Sequence, residues 1–321
     1  MKSKINSLQR KPAKKHLLTM ILLLFVSLPY LMAQVKFDTI NLDKSEKTVK
    51  SLINAKLDDL KKYNVKKVII FGCKGEFILS KTTAPSAWEG KDLLYYEKEQ
   101  RTKTLESNVL DQKFCVELTS KLLDSVTSLL KSVGIEVVAM DEWQSHPVYQ
   151  EMTKIMMDYD KDQGTKYGMI SQTVTIRTLT VPAYGYRLEP ENLIKMMKYQ
   201  KLKTQDCGKI LEDKGAQAFC NISFKVDGAT RMKPSLNGLE IIFETGMKKY
   251  DMGTKDKDGN KVFMYSLTSS PVLGLKDILE YQNSIYKDRY IDTKLYANAI
   301  LKMQSYILSM FQEKLKAVIT Q

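Results

Sequence analysis

Apolar and polar residues follow two different rhythms along this chain, and the change from one to the other marks its elements. Over residues 45–62, Val49, Leu52, Ile53, Leu57 and Leu60 fall on one helical face, with Ser45 placed to cap the start. "KKVIIFGC" (66–73) predicts a strand, because a short apolar run meets glycine. Residues 80–108 are polar and irregular and read as a long excursion. Over 112–133, Phe114, Cys115, Leu118, Leu122, Val126, Leu129, Leu130 and Val133 form a helical stripe that Gly134 ends. "IEVVAM" (135–140) predicts a second strand and "VYQEMTKIMMDY" (148–159) a helix.

The rhythm is less regular beyond residue 160. Residues 168–190 mix strand formers with turn signals. Helices are predicted at 191–203 and 206–216. In "AQAFCNISFKV" (216–226), Ala218, Cys220, Ile222, Phe224 and Val226 alternate with Phe219, Asn221, Ser223 and Lys225, the period of a half-buried strand. Strands at 238–252 and 260–268 flank "GTKDKDG", a hairpin tip. A long final helix carries Leu295, Tyr296, Ile300, Met303, Ile307, Met310, Phe311, Leu315 and Val318, a stripe suited to a core or to a partner helix. The element order predicts an α+β fold: a mixed sheet with helices packed on it and a long C-terminal helix.

The first 33 residues read as a signal peptide. Lys2, Lys4, Arg10, Lys11, Lys14 and Lys15 precede an apolar stretch, Leu17 to Leu28, which Pro29 and the small residue Ala33 follow. Residues 34–321 then form a single domain, with about 160–207 readable as an insertion. An exported, periplasmic or secreted location follows. The whole chain carries +13, but six of its 50 basic residues and none of its 37 acidic ones lie in the leader. That leaves 44 against 37, a net charge of +7. An exported chain of this charge is a poor partner for nucleic acid. Lys195, Lys198, Lys201 and Lys203, with Tyr199 among them, make the densest basic patch, suited to a solvated face, an anionic polymer or a lipid head group.

Candidate chemistry is sparse. Cys73, Cys115, Cys207 and Cys220 form no CxxC pair, which argues against a zinc or thioredoxin-type motif; a Cys207–Cys220 disulfide is conceivable in an exported chain. His16 lies in the leader, so His146 alone could not anchor a multi-histidine metal site. Asp141, Glu142 and His146 follow a predicted strand and could serve acid–base chemistry on an envelope polymer. Trp143 and Tyr149 nearby, with Lys195 and Lys198, are candidate partner contacts. Asp158, Asp160 and Asp162 in "DYDKDQG" have the spacing of a calcium loop, although the EF-hand glycine and closing glutamate are missing. "DKDGN" (256–260) reads as a hairpin turn. Gly72 and Gly75 lack GK[ST] or GxGxxG context, so a strand bulge or close packing is expected there instead of a phosphate loop. No cofactor is expected.

"VKKVIIFGCKG", "VELTSKLLDSVTSLLKSVG", "IEVVAMDEW", "KGAQAFCNISFKV" and "GLEIIFE" together resemble the domain shared by the amino-terminal part of TolB, the curli-secretion lipoprotein CsgG and the penicillin-binding-protein activator LpoB. The likeness spans about 66–160 and 208–245. The chain has no lipid-bearing cysteine after its leader and no propeller repeats. The resemblance implies a non-enzymatic envelope protein that binds or assembles with an envelope or peptidoglycan-associated partner, with homo-oligomerisation through the final helix and peripheral membrane contact as further expectations. A hydrolase and a calcium-dependent binding module are the alternatives.

Overall fold

The apolar run Val68–Phe71 opens a strand far longer than itself: β1 spans Lys67–Pro85. It is joined by β2 (Gln172–Pro182), β3 (Ala218–Asp227), β4 (Ser235–Lys255) and β5 (Lys261–Leu275). The computed structural model describes residues 34–36, 52–85, 105–106, 110–161, 165–168, 172–227, 234–256, 258–276, 278–281, 286–287 and 290–319, all within one unit, Gln34–Gln321. The fold is α+β, a curled mixed sheet with helices packed on it and a long C-terminal helix.

The long strands stand in the order β2–β1–β3–β4–β5. β1 and β3 are parallel, and the other neighbours are antiparallel. β4 and β5 form the predicted hairpin, closed by Asp256, whose Oδ1 accepts the N–H groups of Asp258 and Asn260. Within the 160–207 segment, β2 pairs along β1, and Asp160–Lys161 and Thr165–Gly168 pair with β2. The "IEVVAM" strand shrinks to Glu136–Val137, parallel to the start of β1, because a helix begins at Met140. The predicted helix over 45–62 is also corrected. Leu52 and α1 (Asp58–Lys62) are helical there, but Ile53–Asn54 between them pairs with β5; residues 37–51 lie outside the described residues.

The remaining described helices are α2 (Gln112–Ser132), α3 (Met140–Gln144), α4 (Pro147–Thr153), α5 (Leu193–Gln205), α6 (Cys207–Lys214) and α7 (Thr293–Ile319). α2 starts on the Asp111 cap, which accepts from Phe114 N–H at 2.7 Å. It packs on β1 and β2, and α7 packs on α2 and β4. The α7 stripe, including Tyr296, Ile300, Met303, Ile307 and Phe311, is buried in this core. These residues take the core role that the sequence offered beside a partner-helix face, while Leu295 at the start of the stripe stays exposed.

Gly75 explains how closely α2 approaches the sheet. A Cβ there would lie 2.5 Å from Thr119 Oγ1 and 2.7 Å from the Phe224 ring. A bulge at Ile70–Gly72 does separate work. Period two would put Phe71 and Cys73 on one face, but the extra residue breaks the alternation. Cys73 Sγ turns to the Thr119 carbonyl of α2 at 3.8 Å, while Phe71 packs 4.7 Å from Phe219 and 5.6 Å from Trp143 of α3. The strand glycines thus serve packing and a bulge, as expected, and β1 runs on where a phosphate loop would need a helix.

Candidate functional site: a polar cleft on the sheet

Strand alternation leaves one sheet face apolar and the other mixed, with polar side chains beside Phe219 and Ile242. Cys220, Ile222, Phe224, Leu239, Ile241 and Phe243 are buried among the core residues. The alternate positions of the same strands, Asn221, Ser223, Glu240 and Glu244, share the other face with Lys74 and Thr180 and floor a cleft of about 500 Å³. One wall comes from the segments that carry Met157 and Leu188, joined by reciprocal backbone hydrogen bonds of 2.9 and 2.7 Å. α5 also lines the cleft, with Tyr199 and Lys203.

The α5 wall is fixed at both ends. Asn192 caps its start, accepting from Ile194 N–H at 3.0 Å and Lys195 N–H at 3.3 Å. Toward its end, Lys203 Nζ lies 2.9 Å from Glu244 Oε1 on the floor and 3.8 Å from Glu189. These side chains are 20% exposed for Lys203 and 15% for Glu244, so the pair is largely shielded from solvent. Burial works against the Lys203 charge, but Glu244 and then Glu189 outweigh it and raise the pKa above its ordinary 10.5. Burial, followed by the Glu189 carboxylate, pushes the Tyr199 phenol up, so it stays protonated. Glu244 Oε2 is buried with no hydrogen-bonding partner among the described residues. A buried acceptor without a donor is costly, and an incoming N–H group would relieve that cost.

The cleft is negative on a chain that is otherwise positive. Asp160, Glu189, Glu191, Glu240 and Glu244 line it against Lys74, Arg187 and Lys203. Two of those cations are engaged, Lys203 by Glu244 and Arg187 by Asp158 at 3.4 Å. Low-dielectric walls focus such a field into the cleft.

The residues singled out in the sequence are arranged differently. His146 does not join Asp141 and Glu142. Its Nε2 lies 2.9 Å from Asp213 Oδ2 on α6, and its Nδ1 accepts from Val148 N–H at 3.2 Å as the cap of α4. The Nδ1 bond leaves the proton on Nε2, where it is donated to Asp213. Asp141 and Glu142 lie exposed in the first turn of α3. Trp143 and Tyr149 are 0% and 2% exposed and pack on each other and on Phe71, so they are core residues and not a partner surface. Asp158 turns to Arg187, Asp160 lines the cleft, and Asp162 lies outside the described residues. Among the described residues no group of three or more His, Cys, Asp or Glu side chains could hold a metal ion.

All four cysteines are free and buried, so the conceivable Cys207–Cys220 disulfide is not formed. Cys207 Sγ instead lies 3.3 Å from Met152 Sδ. Lys195 and Lys198 are exposed on α5, while Tyr199, their neighbour in the basic patch, turns into the cleft. The cleft itself escaped the sequence reading. Its signal was present in the alternation of Asn221, Ser223 and Lys225 on β3, but the register that brings Glu240, Glu244 and Lys74 beside them is a long-range property.

No family model, curated protein or solved structure matches the chain.

Proposed function

We propose that the chain is an exported envelope protein whose Gln34–Gln321 unit is a non-enzymatic binding or assembly domain, and that its cleft receives a positively charged, extended segment of a partner protein. The observation that carries this reading is the excess of carboxylates in the cleft of a domain whose net charge is +7. The floor adds the polar groups of Asn221, Ser223 and Thr180, which suit backbone and side-chain hydrogen bonds of an extended guest. The leader pattern and the resemblance to envelope interaction domains support the same reading. Among the described residues no helix is long and apolar enough to cross a membrane.

A short oligolysine peptide is the probe. Calorimetric titration into the Gln34–Gln321 unit, whose core runs from Leu52 to Leu315, should show saturable, salt-sensitive binding. Glu240→Gln with Asp160→Asn should weaken it by roughly thirtyfold, since each carboxylate near a cation in a water-like medium is worth about 1 kcal/mol. Binding that is absent, or equally strong in the double variant, would overturn the proposal.

A further inference from the structure

The cleft uses only the inner side of α5. On the outer side stand Leu193, Ile194 and Met197, 73%, 66% and 66% exposed, the three most exposed large apolar side chains among the described residues. At 100° per residue they share one half of the helix with Lys198 and Lys201. Lys195 sits at the border of that half, and all three lysines are exposed. No acidic residue lies between Asn192 and Gln205. Lys203 belongs to the other side, where Glu244 holds it. The nearest acidic residues along the chain are Glu191, before the cap, and Asp206, after the last turn.

We infer that this outer face of α5 docks on an anionic lipid surface. The chemistry separates a lipid surface from an acidic protein partner. Protein interfaces concentrate aromatic residues and arginine and are depleted of lysine. Apart from Met197, a residue type that protein interfaces also favour, this patch departs from that composition: its apolar side chains are edged by three lysines and by no aromatic residue or arginine. That is the pattern of an interfacial helix, whose apolar side chains enter the head-group boundary while its lysines meet lipid phosphates. The inner contacts of α5 suit it to the role. With Tyr199 buried, Lys203 tied to the floor and Asn192 capping the start, the helix is anchored by its inner side and leaves its outer side chains exposed. The cleft then opens beside the membrane-facing helix, although lipid docking does not depend on what fills the cleft.

Sedimentation of the Gln34–Gln321 unit with phosphatidylcholine vesicles, with and without phosphatidylglycerol, tests the inference. Binding is expected only to the vesicles containing phosphatidylglycerol and should fall as salt rises. Lys195→Gln with Lys198→Gln and Lys201→Gln should weaken it by about fivefold for each charge removed. Leu193→Ser with Ile194→Ser and Met197→Ser should abolish it. All six side chains are exposed, so an unchanged melting temperature in both variants will show that the fold is kept. Failure to bind the anionic vesicles, or binding that survives both variants, overturns the inference. An oligoglutamate peptide that binds this face while the vesicles do not would overturn it in favour of an acidic protein partner.

Discussion

At the scale of single residues, burial decides most of what the candidate side chains can do. Trp143 and Tyr149 look like contact residues in sequence because aromatic rings near a strand end suit an interface. The bulge at Phe71 gives them an internal partner instead, and a bulge leaves no mark in a hydrophobicity pattern. The cysteines, by contrast, were legible: Cys115 and Cys220 lie on apolar stripes and are buried as expected. Burial pushes the Cys207 thiol up to about 12, with Lys203 acting in the opposite direction, and drives Cys73, Cys115 and Cys220 higher still. The thiolate, which is the reactive form, is therefore scarce at neutral pH. The folded protein should resist a maleimide at pH 7.5, and all four cysteines should react after denaturation. Rapid labelling of any cysteine in the folded state would contradict the placement of that thiol.

At the scale of elements, the long helices and the β4–β5 hairpin were readable because their signals are local: a sustained stripe, a cap, an Asp-Gly turn. The break in the 45–62 helix at Ile53–Asn54 and the shortening of the 135–140 strand were not readable, because short apolar runs take their form from tertiary pairing. Ile53 pairs with Leu275, more than 200 positions away, and no local rule contains that contact. The contact that matters most to the cleft is the tether from α5 to β4. Lys203→Gln would leave Glu244 shielded and unpaired, and should lower stability by about 2–3 kcal/mol. Replacing both residues with apolar ones should recover much of the loss. Because the folded state raises the Lys203 pKa, it holds that proton more tightly than the unfolded chain does. The stabilisation is therefore full below pH 10.5 and fades as pH rises through the folded value. Melting curves of parent and variant should differ by a constant amount from pH 8 to pH 10 and converge above that range. A variant as stable as the parent at pH 8 would show that the tether does not hold the helix.

At the scale of the whole molecule, the α+β class and the long C-terminal helix followed from element order. The functional face did not, because it depends on which strands become neighbours. β3 declared a polar face by its alternation, yet nothing local says that β1 lies on one side of it and β4 on the other, or that α5 closes over them. The same topology gives α5 two faces with opposite demands, one held by Glu244 over the cleft and one bearing lysines and apolar side chains outward. The central claim is that the cleft is the binding site. Hydrogen exchange of the Gln34–Gln321 unit with and without the oligolysine peptide tests it most directly. The account predicts added protection along 221–225 and 240–244 and in α5. Protection confined to the β4–β5 tip or to α7, with the cleft floor unchanged, would contradict it.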